Sequence, residues 1–545
     1  MRNLVHLAAW ALALGLIAAP AGAQSPASRL QNVTPGDASV PAEKKRGGTL
    51  TVGLMVQSEC LDPQQHHHGF GSREGRQIVD SLTDQGSEDA SRIVPWLARS
   101  WTINEDATRY TFDLREDVTF SDGSKLDATV VKDNFEALAK IPGAAGSEYL
   151  NGVKSITVPS THRIVIEFRE PNLAFQAATA TSELGIVAPA TLKKTADARC
   201  YEGVIGSGPF VLKSAKFNEQ IVLVRRDGYN WASSLKKHQG EAYLDQIVFR
   251  VIPEASVRTG ALRSGQVDLT NASYQDAPTL EGAGFQLVNA AYIGTAATLF
   301  VNTSRPVVDD VEVRRALQQG LNRQEIVDLV QNGYVVPATG LLTPRTPGFV
   351  DLSAAIAYDP AAAKARLDKA GWKPGPDGIR VKNGQTLRIR GSFWANAINR
   401  ALFEVLQQQA RDLGIDFIVG PVPSSAEYLQ GQIAGQYDLY RWHWSLADVD
   451  VLRKDYSTQG LNRLRLPKDN DIDRLLFAQA GETDPARRRA LTDEVQKIIV
   501  DKAYGIPLFN PDNLWAANAR VKDLSFGPSG TGGPHQLFYD VWIAK

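Results

Sequence analysis

Two hydrophobic periods, one of two residues and one of about 3.6, take turns along nearly all of this 545-residue chain, and no internal repeat organises them. Leu50, Val52 and Leu54 alternate with Thr49, Thr51 and Gly53, while Tyr110, Phe112 and Leu114 alternate with Thr111, Asp113 and Arg115. Ile164, Ile166 and Phe168 repeat the pattern. Each run places its apolar side chains on one face of a strand. Ile221 to Val224 and Gln246 to Ile252 are more continuously apolar, as strands covered on both faces are. Helical segments fall between them. Asp127 is placed to cap a helix with Val130, Val131, Phe135 and Leu138 on one face, and Asp484-Pro485 to start one that buries Leu491, Val495, Ile498 and Ile499. Leu402, Val405, Leu406 and Leu413 line a third, ended by Gly414. The class is mixed α/β, and so long a chain exceeds one core and should divide into two or three lobes.

The amino terminus has the layout of an export signal. Arg2 precedes the apolar run Leu7 to Ile17, and Ala21-Gly-Ala23 supplies small residues for cleavage before Gln24. The run is short for a bilayer span, which takes about 20 apolar residues. No cysteine follows the cleavage point for acylation, so a free periplasmic protein is expected rather than a lipoprotein. Residues 24–46, rich in Ser, Pro and Ala and without periodicity, read as a disordered leader, and the folded body starts at Gly47. A formal net charge of −1 gives no reason to expect nucleic acid or an anionic membrane as the main partner. The only cysteines are Cys60 and Cys200. In an oxidising compartment they either form a disulfide, contributing about 4 to 5 kcal/mol in the chain-entropy model, or remain as two buried thiols.

The motifs of catalysis are missing from the sequence. It contains no Walker-type phosphate loop, no His-Glu-x-x-His, no Cys-x-x-Cys and no Gly-x-Ser-x-Gly elbow. Ser233-Ser-Leu-Lys236 matches Ser-x-x-Lys without a companion motif, and a solvated surface stretch is the better reading. His66-His-His68 offers imidazoles to a metal ion, with His66 and His68 as the candidate ligands, but adjacent side chains diverge and a polar loop at a cleft rim is the better reading. No cofactor is implied.

Several segments resemble, in order, the family 5 extracellular solute-binding proteins, which include dipeptide, oligopeptide and nickel receptors of ABC transporters. Gly47-Gly-Thr-Leu-Thr-Val52 with Leu61-Asp-Pro63 is similar to the opening strand and cleft-edge turn of that family. Ile93-Val-Pro-Trp-Leu-Ala98, Tyr110 to Arg115 and Val118-Thr-Phe-Ser-Asp-Gly123 follow, then Ile205-Gly-Ser-Gly-Pro-Phe210, where Ser207 stands for the usual Thr and is read as stabilising its own turn. Arg226-Asp-Gly-Tyr-Asn-Trp231, Gly265-Gln-Val-Asp268, Leu321-Asn-Arg323, Ile506-Pro-Leu508 and Tyr539-Asp-Val-Trp542 complete the order.

The resemblance implies the two-lobe periplasmic-binding-protein fold with hinged lobes and an extra subdomain in the first. Lobe I is expected over 47–290, with the subdomain at about 75–190, lobe II over 291–508, and a return to lobe I over 509–545. It implies a small, possibly peptide-like solute as ligand, ABC permease and ATPase subunits as partners, a monomer, and no catalysis. Within Tyr437 to Asp450, the family places a carboxylate that pairs with a ligand ammonium group. Asp448 is the candidate for that role, with Trp444 and Trp442 as stacking walls and Asp450 beside them. The alternative keeps both tryptophans as core and Asp450 as a helix cap. Val449 stands where the family has Pro. Tyr292 at the first crossing, Glu59 and Leu61 in the turn, and Trp394 are further candidates. A metal or metallophore receptor is the second reading, and a serine hydrolase using Ser233 and Lys236 the third.

Overall fold

The strand expected to open the folded body forms as Thr49–Leu54 and runs parallel to Gln246–Val251 on one side and Leu269–Asn271 on the other. The computed structural model describes residues 26–30, 32–58, 60–65, 73–527 and 534–545. Around that parallel centre a seven-stranded sheet runs in the order Gln286–Ala291, Asp512–Ala517, Leu269–Asn271, Thr49–Leu54, Gln246–Val251, Gln220–Arg225, Phe210–Lys216. Leu50, Val52 and Leu54 are fully buried, as their alternation requires.

A second sheet of five strands runs in the order Asp416–Val422, Arg388–Trp394, Leu439–Trp442, Ala297–Val301, Gly505–Phe509. Its first three strands are parallel. Each sheet has its own core: Leu50, Ile247 and Phe249 belong to the first, and Leu299, Ile389 and Phe417 to the second. The chain crosses between the sheets twice, from Gln286–Ala291 to Ala297–Val301 and from Gly505–Phe509 to Asp512–Ala517. The result is a two-lobed α/β fold whose first lobe takes strands from both halves of the chain.

A four-stranded antiparallel sheet, Ala98–Ile103, Arg109–Leu114, Arg163–Phe168, Val153–Ser160, is appended to the first lobe. Helix Ala128–Leu138 packs on it, capped by the Asp127 carboxylate accepting from the Val130 N–H at 2.9 Å. Asp484 caps helix Pro485–Asp501 in the same way, from the Arg487 N–H at 2.8 Å. That helix buries Val495 and Ile499 together with Thr492 and Gln496, whereas Leu491 and Ile498 lie half-buried at the edges of the face. Cys60 and Cys200 form a disulfide that ties the turn after the first strand to helix Ala196–Glu202.

The leader departs from the disorder its composition suggests. Ala27 N–H donates to the Gly333 carbonyl at 3.0 Å, and Leu30 packs on the second core. Thr34 is 1% exposed and exchanges two 2.9 Å hydrogen bonds with the Leu524 backbone. Three small contacts made in three dimensions hold a segment that has no periodicity of its own. Among the described residues no helix is long and apolar enough to cross a membrane.

Candidate functional site

Parallel strands present the space beyond their carboxyl ends to ligands, because the chain leaves the sheet there and side chains from several loops converge. In the second lobe Arg388–Trp394 and Leu439–Trp442 end side by side, delivering Asn396, Arg441 and His443. In the first lobe Leu269–Asn271 leads to Tyr274, and the two crossings deliver Tyr292, Asp512 and Asn513. These residues line one cavity of about 150 Å³ at the base of the space between the lobes. Farther out the lobes touch: Leu173 N–H donates to the Ala480 carbonyl at 2.9 Å, and Lys454 pairs with Glu148 at 2.6 Å.

Two ionisable groups in the cavity have no opposite charge among the described residues. Arg441 lies over the Phe509 ring, 5.5 Å from its centroid, and among the described residues no carboxylate is within ion-pairing distance of it. Its Nε has no acceptor, and burial lowers its pKa. Asp512 accepts a hydrogen bond from the Tyr274 hydroxyl on Oδ1, while its Oδ2 has no partner. Burial pushes the Asp512 carboxyl up to about 7, against the pull of that hydrogen bond. His443 stands edge-on to Tyr292 with ring centroids 5.3 Å apart. Burial and the neighbouring Arg441 charge drive its pKa well below the usual imidazole value, so the ring is neutral. Asn513 Nδ2 donates to the Tyr292 hydroxyl at 3.1 Å.

The aromatic stretch before Asp450 is occupied by the protein's own charges. Arg488 donates to Asp448 from Nη2 to Oδ1 at 2.7 Å and from Nη1 to Oδ2 at 3.1 Å, and the Asp450 N–H adds a 2.7 Å bond to Oδ1. Burial raises the Asp448 carboxyl, but the Arg488 charge and these hydrogen bonds outweigh it and hold the group below its ordinary range. A ligand ammonium at Asp448 would have to compete with that guanidinium. Asp450 is held by Arg453 at 2.8 and 2.6 Å and makes no side-chain cap for helix Val451–Tyr456. Trp442 and Trp444 meet edge-to-face at 5.5 Å, with the Arg463 guanidinium 5.4 and 5.6 Å from their centroids and Lys454 over Trp444 at 4.1 Å. Asp455 anchors Arg463 at 2.8 Å.

The other sequence candidates scatter. Tyr292 lines the cavity, Trp394 is 39% exposed at the end of its strand, and Leu61 is 1% exposed in the first core. Glu59 and His66 to His68 lie outside the described residues. Ser233 is buried rather than solvated, and its hydroxyl donates to Asp84, which also pairs with Lys236 at 2.8 Å. Arg441 and His443 sat inside the aromatic stretch without being singled out, and Asp512, Asn513 and Tyr274 carried no local pattern; only the nearness of Asp512 to the second crossing hinted at it.

Residues 92–454 match the family model described as bacterial extracellular solute-binding proteins, family 5 middle. The chain is 28% identical over 472 residues to the nickel-binding periplasmic protein of Escherichia coli strain K12, covering 82% of this chain and 87% of that one. It is 26% identical over 496 residues to the probable D,D-dipeptide-binding periplasmic protein DdpA of the same strain, covering 88% and 92%. The crystal structure of NikA from Brucella suis in complex with Fe(III)-EDTA superposes with a TM-score of 0.78 at 24% identity, over 91% of this chain and all of that one. With two lobes, two crossings and a cavity between them, the chain belongs to the bacterial extracellular solute-binding proteins of family 5.

Proposed function

We propose that the cavity at the crossings captures a small polar solute with an anionic group, a peptide-like carboxylate being the simplest, and that the protein hands it to a membrane permease. The observation that carries this reading is Arg441, which lines the cavity half-buried and has no carboxylate within ion-pairing distance among the described residues. An uncompensated buried cation is costly, and a guanidinium fork matches a carboxylate in two parallel hydrogen bonds. Tyr292, His443 and Asn396 offer the apolar faces and neutral polar groups that orient a ligand. The crossings at residues 292–296 and 510–511 divide lobe I, 47–290 with 509–545, from lobe II, 291–508, and let each rotate as a body about a few residues. A solute that touches both lobes selects the closed arrangement.

The work is done by a monomer in the periplasm, and it is binding rather than bond-making. Pore and ATPase belong to other subunits. A second reading, a metal held within a carboxylate chelate, is favoured by one observation: His443 lines the same cavity, where burial disfavours its charged form. A neutral imidazole ligates metals.

Thermal unfolding of the mature chain against peptides, carboxylates and metal chelates tests both, since a ligand at a hundred times its Kd stabilises by about 2.7 kcal/mol. Stabilisation by anionic compounds that is lost in Arg441→Gln is the expected result. No stabilisation by any anionic compound at millimolar concentration overturns the reading.

A further inference from the structure

We propose that Asp512 is the second pole of this site, so that the solute is a small zwitterion with its carboxylate on Arg441 and its ammonium group on the hinge carboxylate. The inference rests on the capture site argued above and adds the ligand's cationic end. Resemblance to the family directs an ammonium to the tryptophan-flanked loop, yet every carboxylate there is engaged within the second lobe: Asp448 by Arg488, Asp450 by Arg453 and Asp455 by Arg463. Among the described residues that line the cavity, Asp512 is the single carboxylate and Arg441 the single guanidinium.

The geometry at Asp512 suits the role. Tyr274 fixes one oxygen, leaving Oδ2 buried and without a hydrogen bond in the same cavity. Asp512 opens the strand that follows the second crossing and stands in register with Ala291, the last residue before the first. A ligand bridging Asp512 and Arg441 therefore joins the hinge of one lobe to the strand end of the other. The Tyr292 ring, lining the same cavity, gives an ammonium group an aromatic neighbour. A cavity of about 150 Å³ fits an amino acid or a short dipeptide. The carboxyl raised to about 7 agrees with a group that has no cation until one arrives.

The test is calorimetry and thermal unfolding of the mature chain with the free amino acids and simple dipeptides, their N-acetyl derivatives and their carboxyl amides. The expected result is that a free compound binds, that N-acetylation weakens it by about a hundredfold, as for loss of a buried ion pair, and that amidation does the same. Asp512→Asn, a near-isostere, should weaken the free compound to a similar degree and leave its N-acetyl form within about twofold of its wild-type affinity. Equal binding of free and acetylated forms, with Arg441→Gln still abolishing both, overturns the assignment of Asp512 and leaves the anionic site standing. Failure of every free and acetylated compound to bind overturns the zwitterion, and the anionic reading is then judged on the carboxylates and chelates alone. The acetylated ligands give the answer even where the Asp512 variant folds poorly.

Discussion

Arg488 holds Asp448 through two hydrogen bonds of 2.7 and 3.1 Å, forty residues apart in sequence and both in the second lobe. In the loop between Trp442 and Asp450, the Asp448 carboxylate is thereby engaged within the lobe itself.

Removing one partner of such a pair leaves the other charged and desolvated. Asp448→Ala should therefore lower the unfolding free energy by about 3 kcal/mol or more, and the double variant Asp448→Ala/Arg488→Leu should recover part of that loss. Urea denaturation of the three variants checks this; a stable Asp448→Ala protein with selectively weakened ligand binding contradicts it.

Arg441 has the opposite signature. Arg441→Gln removes a half-buried charge that has no carboxylate partner among the described residues, so the ligand-free protein should be unchanged or more stable, while affinity for an anionic ligand falls by about two decades. Melting temperatures with and without ligand separate the two effects.

Asp512 sets a pH dependence of the ligand-free protein. Its carboxyl is raised to about 7 in the fold from an ordinary value of 3.8. Between those values the folded state binds the extra proton, so this group's contribution to stability is present at low pH and is lost as pH rises through about 7. Asp512→Asn should match the wild type near pH 4 and exceed it at pH 8. Chemical denaturation at intervals across that range measures the difference.

The Cys60–Cys200 disulfide spans 140 residues within the first lobe. In the chain-entropy model, losing a cross-link over so long a loop costs about 4 to 5 kcal/mol. Cys60→Ser/Cys200→Ser should unfold at markedly lower denaturant while still binding ligand when folded, as equilibrium denaturation and calorimetry would read.

Features that depend only on neighbours a few residues away are legible in the chain. Tyr110, Phe112 and Leu114 are buried on one face because a strand turns alternate side chains the same way, and Asp127 and Asp484 cap helices because a carboxylate reaches N–H groups one turn on. The ordered run of strand and turn segments from Gly47 to Trp542 marked the family for the same reason, since each segment is a local geometry. Tertiary structure alone decided which charges neutralise one another. Asp84 meets Lys236, and Asp448 meets Arg488, while Arg441 and Asp512 meet no opposite charge among the described residues. Electrostatic partnership depends on distance in space and on exclusion of water, neither of which is written in spacing along the chain. The leader shows the same division: its composition reports no periodicity, yet Ala27, Leu30 and Thr34 find partners supplied by Gly333, the second core and Leu524.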